Sequence, residues 1–132
     1  MTNDDPVIVN CMISSFRDLE VYNEAIDLSI QIETDIKKYP KHEQFLLVDQ
    51  SRRACRGIAP LIAEGYAKRS SLKTFQKFMR DAMGEANEMI CHLEVACRLG
   101  YTMHSRTENL IQRYDILGRK IHKLHDNWNN SK

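Results

Sequence analysis

The sequence predicts an all-α protein, an antiparallel up-down-up-down four-helix bundle. Three observations carry this. The chain of 132 residues has only three prolines and five glycines, too few for a fold built on many tight turns. Apolar residues recur at alternating steps of three and four in four separate segments, the mark of amphipathic helices. The gaps between these segments are short and hold helix stop and start residues, and short connections place successive helices side by side in opposite directions. Hydrophobic residues make up 42% and charged residues 28% of the chain, the balance of one globular domain that buries its core without staples.

Residues 1–15 read as a flexible leader, 16–128 as the bundle domain and 129–132 as a polar tail. In the leader, Val7, Ile8 and Val9 are a short apolar run that could pair as a strand with another chain. Helix 1 is expected from Asp18 to Lys38, with Asp18 as N-cap and Val21, Ala25, Leu28, Ile32 and Ile36 on one face. Lys37 and Lys38 suit its C-terminal dipole, and Pro40 stops it. Helix 2 is expected from Lys41 to about Tyr66, with two apolar stripes, Leu47-Ala54-Ile58-Leu61 and Val48-Cys55-Ala59-Ile62-Tyr66. A helix apolar on two sides is buried on two sides, which fits a subunit contact as well as a core. Pro60 lies inside it, removing a donor and crowding the Arg56 carbonyl, so a kink or a break is expected there. Gly65 is the natural terminator.

Ser70 or Ser71 caps helix 3, which runs to about Arg98 before Gly100. Its seam is Phe75, Met79, Ala82, Ala86, Met89, Leu93 and Ala96, and the small residues Ala82, Gly84 and Ala86 allow a neighbour to approach closely. Ser105-Arg-Thr-Glu108 has the form of a capping box that opens helix 4. That helix carries Leu110, Tyr114, Leu117, Ile121, Leu124 and Trp128 on one face.

The residues suggest no enzyme. A di-iron bundle needs Glu-x-x-His on two helices, and no histidine here has a glutamate three residues before it. His122, His125 and Asp126 could share a metal but read better as a solvated helix face, so no metal and no cofactor is expected. There is no Gly-rich phosphate loop and no nucleophile signature. Cys55, Cys91 and Cys97 fall in helical patterns and read as small core residues of a reduced, cytoplasmic protein. The apolar run Phe45 to Val48 is far too short for a membrane span. Glu64 could serve as a base, but with no partner acid or nucleophile it reads as structural, capping helix 3 or pairing with an arginine.

Charge placement is the stronger signal. The formal net charge is only +1. Yet Arg52, Arg53, Arg56, Lys68, Arg69, Lys73, Lys77 and Arg80 face the single acid Glu64 between positions 52 and 80. Lys73, Lys77 and Arg80 share a helix face, and Arg52 and Arg56 lie one turn apart. Such a surface fits nucleic-acid phosphates bound in a salt-sensitive way. It also fits internal neutralisation, because helix 1 carries six acids against two lysines. Both readings stand on the residues alone.

The string Gln50-x-Arg-Arg-Ala-Cys-x-x-Ile58-x-x-x-Ile62-Ala-Glu-Gly65 resembles the four helix bundle proteins also called 23S rRNA intervening-sequence proteins. Phe16-Arg-Asp-Leu-Glu-Val-Tyr-x-x-Ala25, Tyr39-Pro40 with Glu43, the run Phe75, Phe78, Ala82, Gly84 and Glu88, and Leu99-Gly-Tyr101 extend the likeness over about residues 16–125. The chain departs at Gly57, Leu61 and Glu85, where the family commonly carries serine, asparagine and serine. The resemblance implies a bundle that assembles as a ring, often a homopentamer. It is similar in fold to the accessory protein of diversity-generating retroelements, which binds nucleic acid and a reverse transcriptase. The expected function is therefore a non-enzymatic homo-oligomer, pentameric by that resemblance. It binds nucleic acid, structured RNA ahead of DNA, through the Arg52–Arg80 surface, with Pro60, Glu64 and Gly65 as architecture. The alternative is a scaffold for a protein partner such as a reverse transcriptase, without nucleic-acid contact.

Overall fold

The structure, a computed structural model, describes residues 13–128. The expectations for Val7–Val9 and for the tail lie outside it. The Ser15 hydroxyl accepts from the Arg17 N–H at 3.1 Å, and the Asp18 carboxylate accepts from the Ser14 and Ser15 N–H groups at 2.9 and 3.2 Å. Asp18 thus closes a capping box around the 3-10 turn Phe16–Asp18 instead of capping a long helix. Helix α1 follows as Glu20–Ile36, with the fully buried Leu19 as its N-cap. Its five buried residues are the predicted ones, Val21, Ala25, Leu28, Ile32 and Ile36.

Helix α2 starts later than its pattern suggested. Lys41–Glu43 forms a separate 3-10 turn, and α2 is Leu47–Ala67. The reason is Glu43, whose carboxylate accepts from the Leu47 N–H at 3.3 Å and from the Tyr101 hydroxyl at 2.7 Å. It caps α2 from outside and ties it to a distant connection. The helix runs through Pro60 as one assigned element, with the proline on the exposed side where the missing N–H orphans a solvent-facing carbonyl. Both apolar stripes are spent inside the chain: α2 packs against α1 on one side and α3 on the other. Their burial therefore requires no subunit contact. Gly65 also has a different task. The helix continues past it, and a Cβ there would lie 2.8 Å from both the Phe78 Cβ and the Met79 Cε, so glycine is what lets α2 and α3 touch.

Helix α3, Leu72–Arg98, begins where Ser71 accepts from the Thr74 N–H at 3.2 Å, and all seven predicted seam residues are buried. Gly84 departs from expectation: it is exposed, and a Cβ added there would meet nothing within 4 Å, so the close approach belongs to Ala82 and Ala86. The exit is a Schellman turn, with Gly100 at φ 84° and the Tyr101 and Gly100 N–H groups bonded to the Ala96 and Cys97 carbonyls. That turn aims Tyr101 at Glu43. Helix α4, His104–Asn127, starts one residue before Ser105 with Met103 as N-cap, so the Ser105–Glu108 box is not formed. The Thr107 hydroxyl donates instead to the Met103 carbonyl at 3.1 Å.

The core is continuous from Leu19 to Trp128, whose ring stacks on Phe75 at 4.6 Å and meets Tyr66 edge-on at 6.0 Å. Burying each large aliphatic side chain contributes about 1.5–3 kcal/mol. Three ion pairs join α1 to α4. Glu20 pairs with Lys120, Glu24 with Arg113 and Asp35 with Arg106, at 2.7, 3.0 and 3.0 Å. Among the described residues no helix is long and apolar enough to cross a membrane.

Candidate nucleic-acid interface

The cations between positions 52 and 80 divide into two groups. At the start of α2, Arg52 forms a two-bond fork with Glu33 of α1, Nε to Oε1 and Nη2 to Oε2, both 2.9 Å. Arg56 reaches the same carboxylate at 3.1 Å. Two guanidiniums on one half-buried carboxylate hold the Glu33 pKa down at about 2, the Arg52 bonds being the main cause. Arg53 pairs along its own helix with Asp49 at 3.6 Å. Internal neutralisation thus accounts for Arg52 and Arg56, as the acidity of helix 1 allowed.

The second group lies at the corner where α2 passes to α3. No acid occurs from position 65 to 80. Arg69 lies 4.0 Å over the Tyr66 ring and donates to the Tyr66 carbonyl at 2.9 Å, which leaves its charge uncompensated. Lys73 is exposed and pairs with no acid among the described residues. Lys68 and Lys77 make exposed contacts with Glu64 and Asp81 one turn away, at 3.1 and 2.9 Å, and such pairs are worth only a few tenths of a kcal/mol. Arg80 reaches His125 Nε2 at 3.3 Å. Glu64 neither caps α3, which Ser71 does, nor meets an arginine; its carboxylate meets Lys68, which the helical step of four places beside it.

Other candidates separate in space. His122 and His125 both face Asp126, at 3.5 and 2.8 Å, and no group of three or more metal-ligating side chains occurs among the described residues. Cys55 is buried and its thiol is pushed up to about 11, chiefly by burial, so it is a core residue and not a nucleophile. Cys91 is exposed, contrary to its expected place in the core. Glu85, where the chain departs from its resemblance, lies over the bare Gly57, with its Cδ 3.4 Å from where a Cβ would be. Its pKa is raised by burial and by nearby Glu88 and Asp81.

Sequence reasoning missed the other exposed features. Phe45, Leu46, Leu99 and Met103 project at one end of the bundle. The signal in the sequence was the unbroken apolar run Phe45 to Val48, since one helix face does not bury four consecutive side chains. An apolar groove of about 340 Å³ also lies between α1 and α2, lined among others by Phe16, Tyr22, Ile26, Ala59 and Pro60.

A family model described as 23S rRNA-intervening sequence protein matches residues 17–123. The chain belongs to that family. The match takes in α1 to α3 and most of α4, and with them both cation groups and the Glu43–Tyr101 hydrogen bond. No curated protein matches the chain.

Proposed function

We propose that this family member is a non-enzymatic, homo-oligomeric helical bundle that binds structured RNA through the α2–α3 corner. The observation that carries the reading is the run from Gly65 to Arg80, which holds Lys68, Arg69, Lys73, Lys77 and Arg80 with no acid. None of these side chains is tied to a half-buried carboxylate as Arg52 is. Phosphates bound there release counterions, so affinity falls steeply with salt. Membership of a family named for sequences within 23S rRNA supports RNA ahead of DNA. Arg52 and Arg56 then act mainly as fasteners.

The apolar α1–α2 groove, with Ile30 61% exposed on the same helix α1, supports association between copies. A ring of five is the assembly the family resemblance suggests.

The test is retention of RNA on filters at low salt by the wild type and by a Lys73→Glu/Lys77→Glu variant. Neither side chain is in the core, so the variant keeps its fold and loses retention. Equal retention by the two proteins sinks the reading. Light scattering in the same buffer reads assembly, and a mass of one 15.4 kDa chain removes the oligomer.

A further inference from the structure

We propose that the end of the bundle built by the α1–α2 and α3–α4 connections is a second site, for unpaired, single-stranded RNA. Phe45 offers a face to a base there, and Lys37, Lys38 and Lys41 take the phosphates. The proposal rests on the RNA-binding reading above and adds a location and a substrate class to it.

The two connections form one surface because a clasp joins them. The Tyr101 hydroxyl donates to Glu43 at 2.7 Å and lies 3.3 Å from His42 Nε2, and the Tyr101 ring packs 5.4 Å from Tyr39. Around the clasp stand Phe45, 84% exposed, Met103, 75%, Leu46, 55%, and Leu99, 53%. Large apolar side chains gathered in this way mark a contact surface.

Charge selects the occupant. Lys37, Lys38 and Lys41 are exposed and meet no acid among the described residues. The acids nearby in the chain already have partners: Asp35, Asp49 and Glu94 pair with the cations Arg106, Arg53 and Arg98, and Glu43, which stays charged but is buried, accepts from the Tyr101 hydroxyl. Only Glu108, in the first turns of α4, has no such partner among the described residues. The end is therefore apolar and positive, which calls for an anion with flat apolar faces. Unpaired nucleotides have both parts, whereas a duplex keeps its base faces stacked inside. Helix α2, with 21 residues, puts about 31 Å between this end and the α2–α3 corner. A folded RNA can then lay the phosphates of a stem on the corner and an unpaired loop on Phe45.

The experiment is fluorescence anisotropy with three probes: an oligouridylate of about 12 nucleotides, a duplex RNA of equal length, and polyphosphate, a polyanion without bases. Phe45→Ser should weaken the oligouridylate about tenfold, the loss of one stacked base, and leave the other two probes within about twofold. Lys37→Glu/Lys38→Glu/Lys41→Glu should weaken oligouridylate and polyphosphate together and lower the salt slope for the single strand by about 2. Unchanged oligouridylate binding by Phe45→Ser overturns the site. So does an equal loss of all three probes in that variant. With polyglutamate added as a fourth probe, stronger binding of it than of oligouridylate at matched charge assigns the end to an acidic protein partner and also overturns the site. If only Lys73→Glu/Lys77→Glu loses RNA, this site fails while the wider reading stands; if the wild type binds no RNA, both fail.

Discussion

Glu33 and Glu85 are both partly buried carboxylates, and they lie on opposite flanks of α2. Glu33 sits on the α1 side under two arginines, and its pKa is held at about 2. Glu85 sits on the α3 side over Gly57, with Glu88 and Asp81 as charged neighbours, and its pKa is raised. The difference teaches where this bundle invests its cations. The flank facing acidic α1 consumes arginines to hold helices together. The flank facing α3 leaves a carboxylate unserved while lysines and arginines collect at its far corner. A count of charge along the sequence cannot separate these two uses.

The comparison breaks most visibly at Glu33. Glu33→Ala strands Arg52 and Arg56 and should cost about 2–3 kcal/mol, the usual loss for bonds to charged groups, read from urea melts at pH 7. The same carboxylate sets an acid limb. Its folded pKa lies below its unfolded value, so its contribution is complete above pH 4.5 and is lost as pH falls toward about 2. The variant should show a flatter profile in that window, and a profile parallel to the wild type would remove Glu33 from the account.

Next comes the contact of α2 with α3 itself. Gly65→Ala drives a methyl into the Phe78 Cβ, which the backbone holds in place, and should cost about 1–3 kcal/mol. Gly57→Ala meets only the movable end of Glu85 at 3.4 Å and should stay within about 1 kcal/mol, because a helix prefers alanine to glycine by a similar amount. Thermal melts of the two variants side by side test this ordering, and equal losses would contradict it.

Tyr114 is fully buried, and its hydroxyl has no hydrogen-bond partner among the described residues. Tyr114→Phe should be neutral or stabilising by up to about 1 kcal/mol; a loss larger than that in a urea melt would reveal a partner for the hydroxyl. The smallest effect is expected at Glu85. A raised folded pKa means that Glu85 favours the folded state while protonated and loses that advantage as pH rises through its pKa. Glu85→Gln should therefore gain about 0.5 kcal/mol at pH 7 and nothing near pH 3. A gain that does not depend on pH would point to packing instead of charge.

Periodicity made the core legible. Every buried position of α1 and of the α3 seam follows from the spacing of apolar residues, because a helix face is a local property of the chain. The boundaries were less legible where a distant residue decides them. Tyr101 lies 58 positions from Glu43, and no local pattern shows that their bond keeps Lys41–Glu43 out of α2. Ser105–Glu108 has the letters of a capping box, but the chain turns into α4 at His104, so the serine falls within the first turn. At the candidate interface all eight basic residues were visible as a run, while their division was not. Arg52 is tied down by Glu33, which lies in another helix, while Lys73 has no such acid opposite it among the described residues. The double stripe of α2 is ambiguous for a related reason: two apolar faces show that two neighbours exist, not whether they belong to the same chain.

The polar fastening of α1 to α4 has a kinetic consequence. Helix α1 packs broadly on α2 but touches α4 far less than α3 does, and three ion pairs span that seam. Ion pairs that touch solvent weaken as salt rises, the exposed Glu20–Lys120 most and the part-buried Glu24–Arg113 and Asp35–Arg106 less, while an apolar interface does not. Helix α1 should therefore be the first to peel from the bundle. Its amides should exchange with solvent deuterium ahead of those of α3, and added salt should widen that gap.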